Sequence, residues 1–119
     1  MPSKITHITV ARDNEALMGQ LNLDNPSARG WAATIAFYAA LHYVEAFFSK
    51  SGVHSADHRT RDSNLCRYPE TLQIYDDFCE LKNLSTNARY FGRYPTKIDF
   101  SVEVSPALNN VKSEMQKHL

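Results

Sequence analysis

The sequence predicts an all-α fold, an antiparallel bundle of four to five helices. Three observations carry that expectation. Apolar residues from 26 to 51 recur at helical spacing; Pro, Gly and Ser/Asn residues punctuate the chain at helical intervals; and no two segments make a convincing strand pair.

The elements follow in order. Residues 12–21 (RDNEALMGQL) form a short first helix with Leu17, Met18 and Leu21 as its apolar contacts. Asn25-Pro26-Ser27 is a start signal: Asn25 or Ser27 caps the helix, and Pro26 is tolerated in its first turn. The second helix runs to Ser51, with Gly52 as its C′ residue. A polar connector leads into a shorter helix at about 57–67, capped by Ser55 and ended by Tyr68-Pro69. Residues 70–91 read as one long helix closed by Gly92 and Pro95. The segment KIDFSVEV, 97–104, alternates polar and apolar and reads as an extended lead-in, with ITHITV near the N-terminus as a weak strand partner. Ser105-Pro106 opens a last helix carrying Leu108, Val111, Met115 and Leu119 on one face.

Size and charge limit the function classes. At 119 residues the chain fits a single domain, 1–119, with one modest core. Formal charge is zero, so bulk electrostatics give no reason to expect nucleic acid and any basic patch must be local. The N-terminus lacks the apolar core of a secretory signal, and Thr34, His42 and Glu45 interrupt the run closest to a membrane span. Cys66 and Cys79 do not form a disulfide framework. These features point to a cytoplasmic protein without membrane association.

The second helix sorts into three sides. Phe37, Leu41, Val44 and Phe48 form a core side, and Ala32, Ala36, Ala39 and Ala46 form a small-residue side interrupted by Tyr43. The third side runs Trp31, Ile35, Tyr38, His42, Glu45 and Ser49. On the 70–91 helix, the apolar stripe of Ile74, Phe78 and Leu81 is continued by Ser85 and Arg89, flanked by Lys82 and Arg93. Five of the seven arginines lie between Arg59 and Arg93. Polar groups on inward stripes need partners, so the two stripes are expected to face one shared cleft. His42 then meets Arg89, Ser85 or the Arg59–Arg61 connector. The bland alternative is a core histidine bonded to backbone, beside a structural Glu45–Arg89 ion pair. Trp31 and Tyr38 likewise read either as core or interface aromatics or as base-stacking platforms.

Other chemistries are disfavoured. His54 and His58 stand four apart with Cys66 and Cys79 following, but the close Cys pairs of structural zinc sites are missing, so no metal is expected. There is no P-loop, dinucleotide-binding turn or nucleophile elbow, so no cofactor is expected. With only four glycines, a bound phosphate would be held by arginine side chains.

Three blocks in order, WAATIAFYAALHYVEAFF, HSADHRTR and YDDFCELKNLSTNARY, resemble HEPN domains, the small helical bundles named for higher eukaryotes and prokaryotes nucleotide-binding proteins. The resemblance covers about residues 28–92 and is to the compact stand-alone prokaryotic kind. It implies an RNA- or nucleotide-binding module of a toxin–antitoxin or defence system, commonly a homodimer, with an antitoxin or nucleotidyltransferase-like partner. It also implies a possible metal-independent ribonuclease. The family's catalytic arginine, followed four to six residues later by a histidine, is absent: Arg59, Arg61, Arg67 and Arg89 all lack that histidine. A replacement site would use His42 or His58 as base or acid and Arg61 and Arg89 on phosphate. Tyr38, Arg59, Lys82, Ser85, Tyr90 and Arg93 would contact ligand. The alternative is a catalytically inactive homodimeric interaction scaffold.

Overall fold

The computed structural model describes residues 2–119. Its spine is α2, Pro26–Lys50. At 1.5 Å per residue its 25 residues span about 37 Å, close to the 40 Å long axis of the molecule. Asn25 caps it: the Oδ1 atom accepts from the Ser27 N–H at 2.9 Å and the Ala28 N–H at 3.4 Å, with Pro26 in the first turn. Ala32, Ala36 and Ala39 are fully buried, which lets neighbouring helices approach closely, while Phe37, Val44 and Phe48 fill the core.

The first helix, α1 (Lys4–Gly19), packs most extensively against α2. It begins eight residues before the expected start, and ITHITV is helix, not strand. Ser3 caps it by accepting from the Thr6 N–H, and His7 and Ala11, one turn apart, face α2. That buried face overrides the weak helix preference of the β-branched residues. Leu17, expected as a contact, is exposed; Met18 and Leu21 pack on the core.

Beyond Gly52 (φ +74°), α3 spans His58–Arg67 and is capped by Asp57, whose Oδ1 accepts from the Thr60 N–H at 2.8 Å. Ser55, the expected cap, instead accepts from Asn64 Nδ2 at 3.2 Å. The expected 70–91 helix is broken in two: the single turn α4, Pro69–Leu72, and α5, Tyr75–Phe91. The break follows from Thr71, which is fully buried and donates its hydroxyl to Leu65 O at 2.8 Å, and from Ile74, which turns into the core. Gly92 ends α5 in the left-handed region at φ +61°, as a C-terminal glycine should.

The largest correction is at 97–104, which is helical throughout. Thr96 and Asp99 form a capping box at the short α6, Lys97–Asp99. A π-helical turn, Phe100–Val104, follows and runs directly into α7, Ser105–Gln116. Pro106 explains the wide turn. It has no N–H to give Val102, and the ladder widens so that the Ser105 N–H donates to Phe100 O. Phe100 and Val104 point inward four residues apart, and Leu108, Val111 and Met115 continue the buried face. Ile98 and Val102, the other half of the alternation, are exposed.

The result is an all-helical bundle with one continuous core, in which α1, α5 and α7 flank α2. No described helix is long and apolar enough to cross a membrane.

Candidate functional site: two polar clefts along the central helix

The polar stripe of α2 meets the rest of the protein at two places. Near its N-terminal end, α2 and the end of α5 enclose an open cleft of about 290 Å³. Trp31, Tyr90 and Tyr94 line it and are 60%, 69% and 44% exposed, so none of the three is a core residue. The Tyr94 ring approaches α2 closely because residue 30 is glycine: a Cβ there would stand 2.4 Å from its ring. Arg29 fastens two loops: Nε donates to Pro95 O, beyond α5, at 2.7 Å, and Nη1 donates to Leu23 O, before α2, at 2.8 Å.

The cationic member of this cleft is Arg89, aimed by a relay of hydroxyls. Its Nε donates to Ser85 Oγ at 3.1 Å; Ser85 donates to Thr34 Oγ1 at 3.2 Å; and Thr34 donates to Gly30 O at 3.2 Å. The guanidinium carbon stands 5.0 Å from the Tyr90 ring centre, and that of Arg93 stands 5.7 Å from Phe91. The run Arg89-Tyr90-Phe91-Gly92-Arg93-Tyr94 therefore alternates cations with exposed rings, and no carboxylate lines the cleft.

Farther along α2, a smaller cleft of about 170 Å³ lies between α1, α2 and the start of α3. His42 does not meet Arg89, Ser85, the connector or backbone. Its Nδ1 faces Nδ1 of His7, on α1, at 3.0 Å. Burial, the larger cause, holds both imidazoles below their ordinary value of 6.5, and the Arg61 charge works in the same direction. Glu45 partly opposes this, while His7 adds to the depression at His42.

Glu45 pairs with Arg61, not Arg89: Arg61 Nε donates to Glu45 Oε1 at 2.6 Å, with both side chains nearly buried. Arg61 Nη1 also meets His58 Nδ1 at 3.0 Å. Because guanidinium can only donate, His58 accepts at Nδ1 and carries its proton on Nε2. Burial, then Arg61, lowers its pKa too.

The single shared cleft expected from sequence is thus two. Of the acid–base and phosphate candidates, His42 and Arg61 line the histidine cleft, His58 reaches it through Arg61, and Arg89 belongs to the aromatic one. Tyr38 is half-buried against Phe37 at 5.2 Å. Lys82 pairs with Asp62 at 2.7 Å, Ser85 is buried in the Arg89 relay, and Arg59 and Arg93 are exposed. His54 lines the histidine cleft, and among the described residues no three His, Cys, Asp or Glu side chains converge as metal ligands.

Sequence reasoning missed His7, Arg29, Gly30 and Tyr94. The four-residue spacing of His7 and Ala11 is the signal that would have found the first.

No protein-family model, curated protein or solved structure matches the chain.

Proposed function

We propose that this chain is a HEPN-like helical module that binds single-stranded RNA or a nucleotide, of the kind used in toxin–antitoxin or defence systems. The observation that carries the reading is the aromatic cleft. Exposed rings offer faces on which bases stack, and interleaved arginines offer planar donors to phosphate. Such a local site binds nucleic acid without a basic chain as a whole, which accords with zero net charge. Lys82, already paired with Asp62, is a weaker phosphate ligand than Arg89 or Arg93.

The enzymatic form of this reading is a metal-independent ribonuclease. It would draw its base or acid from His42 or His58, and a bound strand would run along α2 from Trp31 toward the histidine cleft. Cleavage of single-stranded RNA in EDTA, lost in His42→Ala with binding retained, is its signature.

Trp31 is the only tryptophan and lines the aromatic cleft, so it reports directly. Titration with a short single-stranded oligonucleotide should quench its fluorescence. The logarithm of affinity should fall with the logarithm of salt concentration by about 0.7 per phosphate contacted. Unchanged fluorescence together with unchanged mobility of the RNA sinks the reading.

A second reading, a catalytically inactive homodimeric scaffold, is favoured by Ile98 and Val102, which are 74% and 62% exposed and four residues apart. Light scattering distinguishes it: a dimer that loses its partner in Val102→Asp, without affinity for RNA, supports the scaffold.

A further inference from the structure

Three rings line the aromatic cleft, and none of Trp31, Tyr90 and Tyr94 stacks on another ring among the described residues. Each keeps a face for a guest. At about 290 Å³ the cleft stands at the small end of ligand sites, which run from roughly 300 to 1,000 Å³. It has room for one planar group and what is attached to it, not for a stack of several bases.

The polar lining is as restricted. No carboxylate or carboxamide is present to pair with the edge of a base. Thr34 is already engaged, its hydroxyl donating to Gly30 O and accepting from Ser85. The hydroxyls that remain, on Ser27, Tyr90 and Tyr94, both donate and accept, so they do not separate adenine from guanine.

An anion has one holder here. The start of α2 is closed to it: Pro26 has no N–H, and the N–H groups of Ser27 and Ala28 both go to Asn25 Oδ1. Arg89 is open. Its Nε is committed to Ser85, while neither terminal nitrogen has a partner among the described residues. With Nε fixed, the two terminal nitrogens form a planar fork that fits two oxygens of one phosphate.

We propose that the aromatic cleft is a site for a single purine nucleotide unit, whose base lies on the exposed rings and whose phosphate sits on the free nitrogens of Arg89. The proposal rests on the nucleotide-binding reading above and narrows it. Purine is favoured over pyrimidine because two fused rings cover more of an aromatic face than one, and stacking strength sets the preference where base edges are not read. Adenine and guanine are accepted alike for the same reason.

Calorimetric titration of the full chain with AMP, GMP, CMP and adenosine tests this, with the fluorescence of Trp31 placing the ligand in the cleft. AMP and GMP should bind alike and about fivefold more tightly than CMP, as a modest difference in stacking requires. Adenosine should bind at least about tenfold more weakly than AMP, because it lacks the group that the charged fork holds. In Arg89→Gln, a change at an exposed side chain, the gap between AMP and adenosine should close. CMP bound as tightly as AMP, or adenosine as tightly as AMP, overturns the proposal. So does a preference for GMP over AMP of more than about tenfold, which would put Arg89 on the guanine edge and not on phosphate. The dinucleotide ApA, which has no terminal phosphate, separates the two sources of such a unit. Tighter AMP marks a free nucleotide or strand end, and tighter ApA marks an internal residue of a strand. A single-stranded RNA that quenches Trp31 while AMP fails to bind leaves the RNA-binding reading standing and removes the single-nucleotide site; binding of neither removes both.

Discussion

At the N-terminal end of α2, the aromatic cleft exposes three rings and the guanidinium of Arg89. Three turns farther on, the histidine cleft buries a carboxylate–guanidinium pair beneath two imidazoles whose charge depends on pH. The first is assembled from chain ends: the start of α2, the end of α5 and a loop held by Arg29. The second lies between three helices and shares their packing. The difference teaches which residues can be altered freely. The exposed groups of the first cleft contribute little to folding, whereas the side chains of the second help to hold α1 and α3 on α2.

The largest effect should come from Glu45. Arg61 and Glu45 are 11% and 7% exposed at their side chains, so removing one partner strands a nearly buried charge. Glu45→Ala should cost about 3–5 kcal/mol in chemical denaturation. Replacing both, as in Glu45→Leu with Arg61→Met, should restore most of that loss, because breaking the pair costs more than its absence. A Glu45→Ala protein of undiminished stability would erase the distinction between the clefts.

Trp31 is the counterpart at the other end. With 60% of its surface exposed, Trp31→Ala should change folding stability by no more than about 0.5 kcal/mol. Loss of one stacking platform should cost about 1–3 kcal/mol in affinity for single-stranded RNA, measured by mobility shift since the fluorophore is gone. A marked loss of stability with RNA affinity intact would instead make Trp31 a structural residue.

Much of this arrangement was legible in the sequence where local signals agreed with tertiary packing. The Asn25-Pro26-Ser27 start, the three sides of α2, the glycine that ends α5 and the inward face of α7 all appear as read. The misreadings share a cause. ITHITV and KIDFSVEV are β-branched or alternating over a few residues, and helix and strand differ there only by which residues find a buried surface. All four apolar residues of that segment fit the strand period, yet only Phe100 and Val104, on one helical face, are buried, while Ile98 and Val102 remain exposed. The site suffered for the same reason. With residues 5–10 reading as a weak strand candidate, His7 has no place on a helix facing α2, and the expected partners of His42 lie on α5 or the connector. The polar stripe was right, but its division into two clefts depends on how α1 and α3 seat against it, which spacing within one helix does not encode.

The smallest effect separates the clefts by pH. Unfolded imidazoles take up protons near 6.5, while those of His7 and His42 in the folded protein do so lower. Between those values the unfolded chain binds more protons, so stability is full above 6.5, falls as pH drops below it and levels off beneath the folded-state values. Each histidine contributes at most about 1.4 kcal/mol per unit of depression. His58, also lowered but exposed, adds less. Asp24 and Asp57, held below the usual carboxylate range, keep their charges through this window and do not contribute to the slope. Denaturation in chloride at pH 7.5 and 5.5 should therefore show a loss that His42→Gln reduces and Trp31→Ala leaves unchanged.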